Sequence, residues 1–204
     1  MFKNLFALII IFASSISAVS AQNQTSNTKT LIVAGGCFWC VESDFEKHKG
    51  VLSAESGYTG GFTENPTYKE VTYKDTGHFE AARIIYDPKE VSLKELVDFY
   101  WKTIDPTDGI GQFCDKGDSY KSALFYEDEG QKKVFYESLA ALQENKPFKG
   151  KVVTEILPLK TFYSAEDYHQ DYYKKNSFRY NLYRSGCGRD KRIEKLWGEV
   201  VTKK

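Results

Sequence analysis

Hydrophobic and polar positions follow two periods along the chain, and each change of period predicts a change of element. "TLIVAGG" is apolar up to a pair of glycines, which predicts a buried strand that ends in a turn. In "CVESDFEKHK" the apolar residues Val41 and Phe45 stand four positions apart, as they would on one face of a helix. Ser92 and Glu95 frame the start of "SLKELVDFYWKTI" with the spacing of a capping box, which predicts another helix.

The rest of the chain continues this alternation of strands and helices, separated by long polar loops. Further strands are predicted in "VLSAESGYTGG", "FEAARIIYD", "KSALFYE" and "KVVTEILPL", and further helices in "EGQKKVFYESLAALQEN" and "KRIEKLWGE". "ENPTYKEVTYKDTGHFE" and "DPTDGIGQFCDKGDSY" are predicted loops, "SAEDYHQDYYKK" a short helix or ordered loop, and "NSFRYNLYRSGCGRD" a tail. The interleaved order, without an internal repeat, predicts one α+β domain in which helices pack on a mixed sheet.

The N-terminal segment 1–21 has the layout of a secretory signal peptide. A basic Lys3 precedes an apolar core, and small residues lead to an expected cleavage site after Ala21. An uncleaved membrane anchor is the alternative, but the apolar run is short for a bilayer. We therefore expect export to a periplasm or to the cell exterior, a flexible segment over residues 22–29 and a single catalytic domain over residues 30–204.

Charge and cysteine content narrow the classes of function. The chain has 28 basic and 28 acidic residues, so there is no electrostatic case for a nucleic acid or an anionic membrane as partner. All four cysteines lie after the signal segment, and an even number in an exported chain suggests structural disulfides. However, four thiols spread over about 150 residues, two of them in a C-x-x-C, suit redox chemistry at least as well.

Cys37 lies between the glycine turn and a predicted helix. A sulfur at that position faces unpaired backbone N–H groups and the positive end of the helix dipole, so we expect its pKa to fall below the ~8.5 of a free thiol. Phe38 and Trp39 would form an apolar wall beside the sulfur. These features predict a nucleophile, and a structural cysteine in a corner is the alternative. Cys40 completes a C-x-x-C spacing that also fits a thioredoxin-type dithiol.

Glu80 stands between an aromatic residue and an alanine at the start of an apolar strand. If the side chain points inward, burial will raise its pKa, and a neutral carboxylic acid beside a thiolate can deliver a proton while the sulfur attacks. An exposed edge glutamate is the alternative. Tyr68, Asp115 and Tyr120 lie in predicted loops, where tyrosine hydroxyls could converge on a polar oxygen or simply pack in the core.

Two further segments carry reactive side chains. Cys187 is flanked by glycines, and a thiol on such a segment could swing towards an oxidised sulfur as a resolving cysteine. His169 stands among acidic residues, but its surroundings lack metal-ligand spacing, so we expect no metal site.

The blocks "GGCFWCVE", "GYTGG", "NPTY", "TGHFEA", "DPTD…GQFCDKGDSYKSA" and "EDYHQDYY" occur in this order. Together they closely resemble the A-type peptide methionine sulfoxide reductases over about Leu31 to Trp197. The resemblance implies a two-layer α+β domain that reduces the S-epimer of methionine sulfoxide, free or in oxidised proteins, without metal or organic cofactor. It implies that Cys37 is the nucleophile and Glu80 the proton-donating acid. The substrate-binding positions that it implies are Phe38 and Trp39 for the methyl group, Tyr68 and Tyr120 for the oxygen, and Asp115 as a polar helper.

This sequence departs from the family pattern at two cysteines. Many members have glycine at the position of Cys40 and asparagine at the position of Cys114. We expect Cys187 to resolve the sulfenic acid on Cys37, because its place in the tail resembles the recycling cysteines of the family; Cys40, and then Cys114, are the alternatives. The resulting disulfide would be reduced by a thioredoxin-like protein, and we expect a monomer. A thiol–disulfide oxidoreductase or a secreted binding domain are the competing functions.

Overall fold

The computed structural model describes residues 27–200, so the predicted signal peptide lies outside the described residues. Lys29, which the sequence prediction assigns to the flexible segment, already belongs to the first strand. Within residues 27–200, no helix combines the length and the apolar character that crossing a bilayer requires.

Strands and helices alternate along the described chain, as the hydrophobic pattern predicts. The strands are β1 (Lys29–Gly35), β2 (Val51–Thr59), β3 (Phe79–Tyr86), β4 (Gly111–Gln112), β5 (Asp115–Lys116), β6 (Ser122–Tyr126), β7 (Glu155–Pro158) and β8 (Tyr163–Ser164). The helices are α1 (Phe38–Glu46), α2 (Tyr68–Tyr73), α3 (Leu93–Trp101), α4 (Glu129–Asn145), α5 (Tyr172–Lys175), α6 (Ser177–Gly186) and α7 (Arg189–Trp197).

A six-stranded mixed sheet forms the framework, with strand order β7-β6-β1-β3-β2-β8. All its neighbouring strands are antiparallel except β6 and β7, which are parallel. The central β1 is buried on both faces: Leu31 and Val33 join the main core beneath α1, α3 and α4, whereas Ile32 and Ala34 pack in a second cluster on the opposite face. The predicted α+β class and the buried first strand are therefore confirmed.

Two helices lie where the sequence predicted loop or tail. Thr67 and Glu70 form a capping box at the start of α2, so the T-x-x-E signal was present inside a segment dominated by turn residues. The predicted tail instead forms helix α6. Its buried residues, Tyr180 and Arg184, stand four positions apart, so the helical conformation places both on the face that packs against the protein. A helix face built from tyrosine and arginine has no aliphatic stripe that would predict it. The segment "KVVTEILPL" was predicted to be a strand, but in the structure only the part that forms β7 is a strand.

Candidate active site

The turn between β1 and α1 sets the position of Cys37. Gly36 has φ +79°, and a Cβ added there would stand 2.6 Å from Cβ of Gln112, so this turn requires glycine. Cys37 then caps α1, and its carbonyl accepts hydrogen bonds from the N–H groups of Cys40 at 3.0 Å and Val41 at 3.3 Å. The helix begins two residues before the predicted segment "CVESDFEKHK", and the Cys37 side chain lies at its N-terminus.

Glu80 is buried beside that helix terminus, with 1% of its surface exposed. Its carboxyl oxygen accepts a hydrogen bond from the backbone N–H of Phe38 at 3.0 Å. This hydrogen bond and one from Tyr120 favour the ionised form, but desolvation is the larger effect and raises the pKa of Glu80 to about 8. Of the two alternatives for Glu80, the inward-pointing one is correct. The side chain is therefore largely protonated at neutral pH.

Burial has the opposite consequence for Cys37 from the one that the sequence predicts. Its pKa is raised, chiefly because the side chain is desolvated, and then because of the Cys40 thiol and the Glu80 carboxyl nearby. The Tyr183 hydroxyl beside the sulfur lowers the pKa of Cys37 without reversing the shift. The prediction of a lowered pKa is wrong because only 6% of the side chain is exposed, and removal of water outweighs the helix terminus.

Phe38 and Trp39 form the apolar side of the site. Phe38 is buried and its ring stacks on Tyr68 with centroids 6.2 Å apart. The Trp39 indole stacks on Tyr172 at 3.8 Å and donates a hydrogen bond to Nδ1 of His169 at 3.0 Å. Burial lowers the pKa of His169 to about 4, so the imidazole stays neutral and can accept this bond. His169 therefore orients the tryptophan ring.

The polar side of the site consists of two tyrosines and an aspartate. The Tyr120 hydroxyl is hydrogen-bonded to Tyr68, and burial raises the pKa of Tyr68 to about 12 and that of Tyr120 further. Both hydroxyls thus keep their protons and can donate to an oxygen. Together with Asp115 they complete the wall of a cavity of about 70 Å³. The cavity is lined by Cys37, Phe38, Trp39, Tyr68, Glu80, Asp115, Tyr120 and Tyr183.

Tyr183 is the lining residue that the sequence analysis missed. It lies on α6, and its hydroxyl donates to the Asp115 carboxylate and contacts Cys37. The spacing of Tyr180 and Tyr183 with Arg184 was the available signal, since these residues place one face of α6 against the site. All the other residues around the cavity were predicted.

The four cysteines separate into two pairs. Cys114, between β4 and β5, forms a disulfide with Cys187 at the end of α6, and Cys37 and Cys40 are free thiols. The Cys37 thiol is hydrogen-bonded to Cys40, whose pKa is lowered to about 7. The structure therefore brings Cys40 to Cys37 and engages Cys187, the expected resolving residue, with Cys114 instead.

Comparison with known proteins agrees with this geometry. The family described as peptide methionine sulfoxide reductase matches residues 29–201. The chain belongs to that family. It is 45% identical over 195 residues to peptide methionine sulfoxide reductase MsrA 2 of Caulobacter vibrioides. The matched region covers 94% of this chain and 98% of the relative. The MsrA of Ligilactobacillus salivarius is 51% identical over 168 residues, covering 82% and 97% of the two chains.

A solved structure shares the fold. Reduced Mxr1 of Saccharomyces cerevisiae superposes with a TM-score of 0.69 at 34% identity, over 74% of this chain and 86% of Mxr1. The protein is thus a thiol-dependent methionine sulfoxide reductase, and the predicted family, fold class and enzyme class are confirmed.

Replacing Glu80 with glutamine tests whether the buried Glu80 side chain is a protonated carboxylic acid. In the wild type, a carboxyl whose pKa is raised on folding binds more protons in the folded state, so stability falls as pH rises from about 4.5 to about 8. Glutamine keeps the acceptor for Phe38 and cannot ionise. We expect Glu80→Gln to exceed the wild type in free energy of unfolding, with a gap that grows with pH to on the order of 3 kcal/mol at pH 7.

Urea unfolding at several pH values measures this difference. Glu64→Gln is the matched control because that glutamate is exposed. A gap between wild type and Glu80→Gln that does not change with pH would show that Glu80 is not held protonated by the fold.

Proposed function

We propose that the protein reduces the S-epimer of methionine sulfoxide by attack of the Cys37 sulfur on the substrate sulfur, while Glu80 protonates the substrate oxygen. This proposal rests on one observation. Both side chains line one small cavity, and the Glu80 carboxyl accepts a hydrogen bond from the backbone N–H of the residue that follows Cys37. A sulfoxide is a poor electrophile until its oxygen is protonated, so the reaction needs a neutral acid beside the sulfur.

The first step transfers oxygen from methionine sulfoxide to Cys37. A bond forms between the cysteine sulfur and the substrate sulfur while Glu80 protonates the substrate oxygen. The resulting hydroxyl then moves from the substrate sulfur to the Cys37 sulfur as the bond between the two sulfurs breaks, and methionine leaves. Cys37 becomes a sulfenic acid, and the proton of its thiol returns to Glu80. Oxidation of the cysteine sulfur by two electrons therefore balances reduction of the substrate.

The two walls of the cavity support the choice of one epimer. The rings of Phe38 and Trp39 offer an apolar surface to the substrate methyl group, and the hydroxyls of Tyr68 and Tyr120 offer donors to its oxygen. Because methyl group, oxygen and peptide chain occupy three different directions around the sulfur, the mirror-image epimer would place its oxygen against the rings.

The second step forms a disulfide with Cys37. Cys40 is favoured in this structure because it is already hydrogen-bonded to Cys37. Cys187, which the sequence analysis favours, could take this role only after its bond to Cys114 is reduced. We infer that a thioredoxin-like protein reduces the final disulfide, since Mxr1 has been solved in a complex with Trx2. The two thiols supply both electrons, so the proposal needs no cofactor, and the monomeric state remains a prediction.

Oxidation by substrate without any reductant tests the proposal. We expect the wild type to release about one methionine per chain and to lose two thiols, whereas Cys37→Ser should release none. A thiol–disulfide oxidoreductase without this activity would release no methionine from either protein. Methionine release by Cys37→Ser at the wild-type rate would exclude Cys37 as the nucleophile.

Mass spectrometry of the same oxidised sample identifies the resolving residue. We expect a single peptide that contains both Cys37 and Cys40 and has lost two hydrogen atoms, with the Cys114–Cys187 pair retained. The double variant Cys114→Ser/Cys187→Ser is the control and should form the same first disulfide. A Cys37–Cys187 pair would assign the role to Cys187.

We also propose that the mature enzyme is exported and repairs oxidised proteins outside the cytoplasm, on the strength of the signal-peptide pattern in residues 1–21. The N-terminal sequence of protein recovered after expression in a Gram-negative bacterial host tests this. Mature chains should begin at Gln22 in the periplasmic fraction or medium. Chains that keep Met1 and remain in the cytoplasm would contradict it.

A further inference from the structure

The last two helices carry two arginines into the interior, next to the pair of free cysteines. Arg184 on α6 and Arg189 on α7 are 8% and 2% exposed. Arginine is among the residues least often buried, so each of these guanidinium groups requires partners of its own. Their positions around α1 indicate a role other than filling the interior.

Arg184 has polar partners on α1, α6 and α7. Its guanidinium donates to Asp44 at 2.7 Å, to the Tyr180 hydroxyl at 2.9 Å and to Asp190 at 2.8 Å. Asp44 stands four residues after Cys40 on α1, and Tyr180 belongs to the same buried cluster as Cys37 and Cys40. Arg184 is thereby fixed behind the cysteine pair and not at the protein surface.

Arg189 approaches the same place from α7. It donates to the carbonyl oxygens of Gly35 at 3.0 Å and Thr103 at 2.8 Å, both of which are neutral. Its nearest anionic partner is Asp44, and that ion pair is long, at 3.7 Å. The Nε atom of Arg189 is buried and has no hydrogen-bond partner among the described residues, so Asp44 compensates the Arg189 charge only weakly. A buried anion beside Arg189 would therefore be stabilised.

Cys40 is the group that can provide this anion. It is 2% exposed, and its pKa is lowered to about 7 by the hydrogen bond from Cys37, against desolvation, with Arg189 and Arg184 contributing attraction. The groups that face it are Cys37 and Asp44 from α1 and its cap, Glu80 from β3, Tyr172 and Tyr173 from α5, Tyr180, Tyr183 and Arg184 from α6, and Arg189 from α7. The arginines are the cations in this set.

We propose that Arg184 and Arg189 are positioning residues that hold Cys40 as a thiolate for attack on the oxidised Cys37. This inference rests on the resolving role proposed for Cys40. In that step the Cys40 thiolate attacks the sulfur of the Cys37 sulfenic acid, the S–S bond forms, and the S–O bond breaks. The departing hydroxide takes a proton from solvent, so the products are the disulfide and water.

A titration without turnover tests the charge on Cys40. In a Cys37→Ser background with the Cys114–Cys187 disulfide intact, Cys40 is the single free thiol of the chain. Its thiolate absorbance in the ultraviolet is followed against pH. We expect Arg184→Gln to raise the midpoint by about one pH unit, and Arg184→Lys, which keeps the charge, to restore most of it.

Two controls make the outcome specific. Arg179→Gln removes the same charge from an exposed position of α6 and should leave the midpoint unchanged. Asp44→Asn removes the carboxylate that opposes ionisation of Cys40 and should lower the midpoint. This variant therefore tests the proposal even if Arg184→Gln does not fold. An unchanged midpoint in folded Arg184→Gln, or in Asp44→Asn, would overturn the proposal.

Single-turnover kinetics in the enzyme that retains Cys37 distinguish a failure of this inference from a failure of the proposed function. Arg184→Gln should slow disulfide formation about tenfold at pH 7, in line with a shift of one pH unit, while methionine release keeps its rate. Equal slowing of both steps would indicate general damage to the site and reject the specific role. If the wild type forms a Cys37–Cys187 bond instead, the resolving role of Cys40 fails, whatever the titration shows about Arg184.

Discussion

The hydrogen bond from the Phe38 backbone N–H to the Glu80 carboxyl connects the two halves of the chemistry. It fixes the acid from β3 against the first turn of α1, one residue after the nucleophile. The first N–H groups of a helix have no partner within the helix, so this donor is available for a side chain. Burial keeps the carboxyl protonated despite the bond, because desolvation outweighs the stabilisation of the charged form. The position and the protonation of the acid thus arise from the same packing.

The C-terminal helices complete the site from the opposite end of the chain. Tyr183 on α6 bridges Asp115 and Cys37, and the Cys114–Cys187 disulfide joins the end of α6 to the β4–β5 hairpin, which carries Asp115. Arg189 on α7 donates to the carbonyl oxygen of Gly35, the last residue of β1 and two residues before Cys37. The cross-link and the arginine therefore hold the tail against the catalytic turn, and the charges that surround Cys40 depend on this docking.

Much of the fold follows from local patterns. The glycine pair before Cys37 predicted the turn and the helix start, and the capping box at Ser92 predicted α3, because these signals depend on neighbouring residues only. The burial of Glu80 could not be decided locally, since alternation in its strand gives two faces and the tertiary fold selects one. Helix α6 was missed because tyrosine and arginine form its buried face, and these residues become buried only through partners on other elements.

The thiols show a similar limit. The helix terminus is visible in the sequence and predicts a lowered pKa for Cys37, whereas the depth of burial that reverses the shift depends on the whole fold. The pairing of Cys114 with Cys187 depends on a contact across 73 residues, which their separation in the sequence does not specify.

The single-turnover rate of methionine release by Glu80→Gln tests the central claim most directly. Glutamine preserves the acceptor for the Phe38 N–H and the volume of the site, and it removes the transferable proton. We expect the rate at neutral pH to fall by ~10²-fold relative to the wild type, while the count of free thiols before the reaction stays the same. A rate equal to that of the wild type would contradict the account and remove Glu80 from the mechanism.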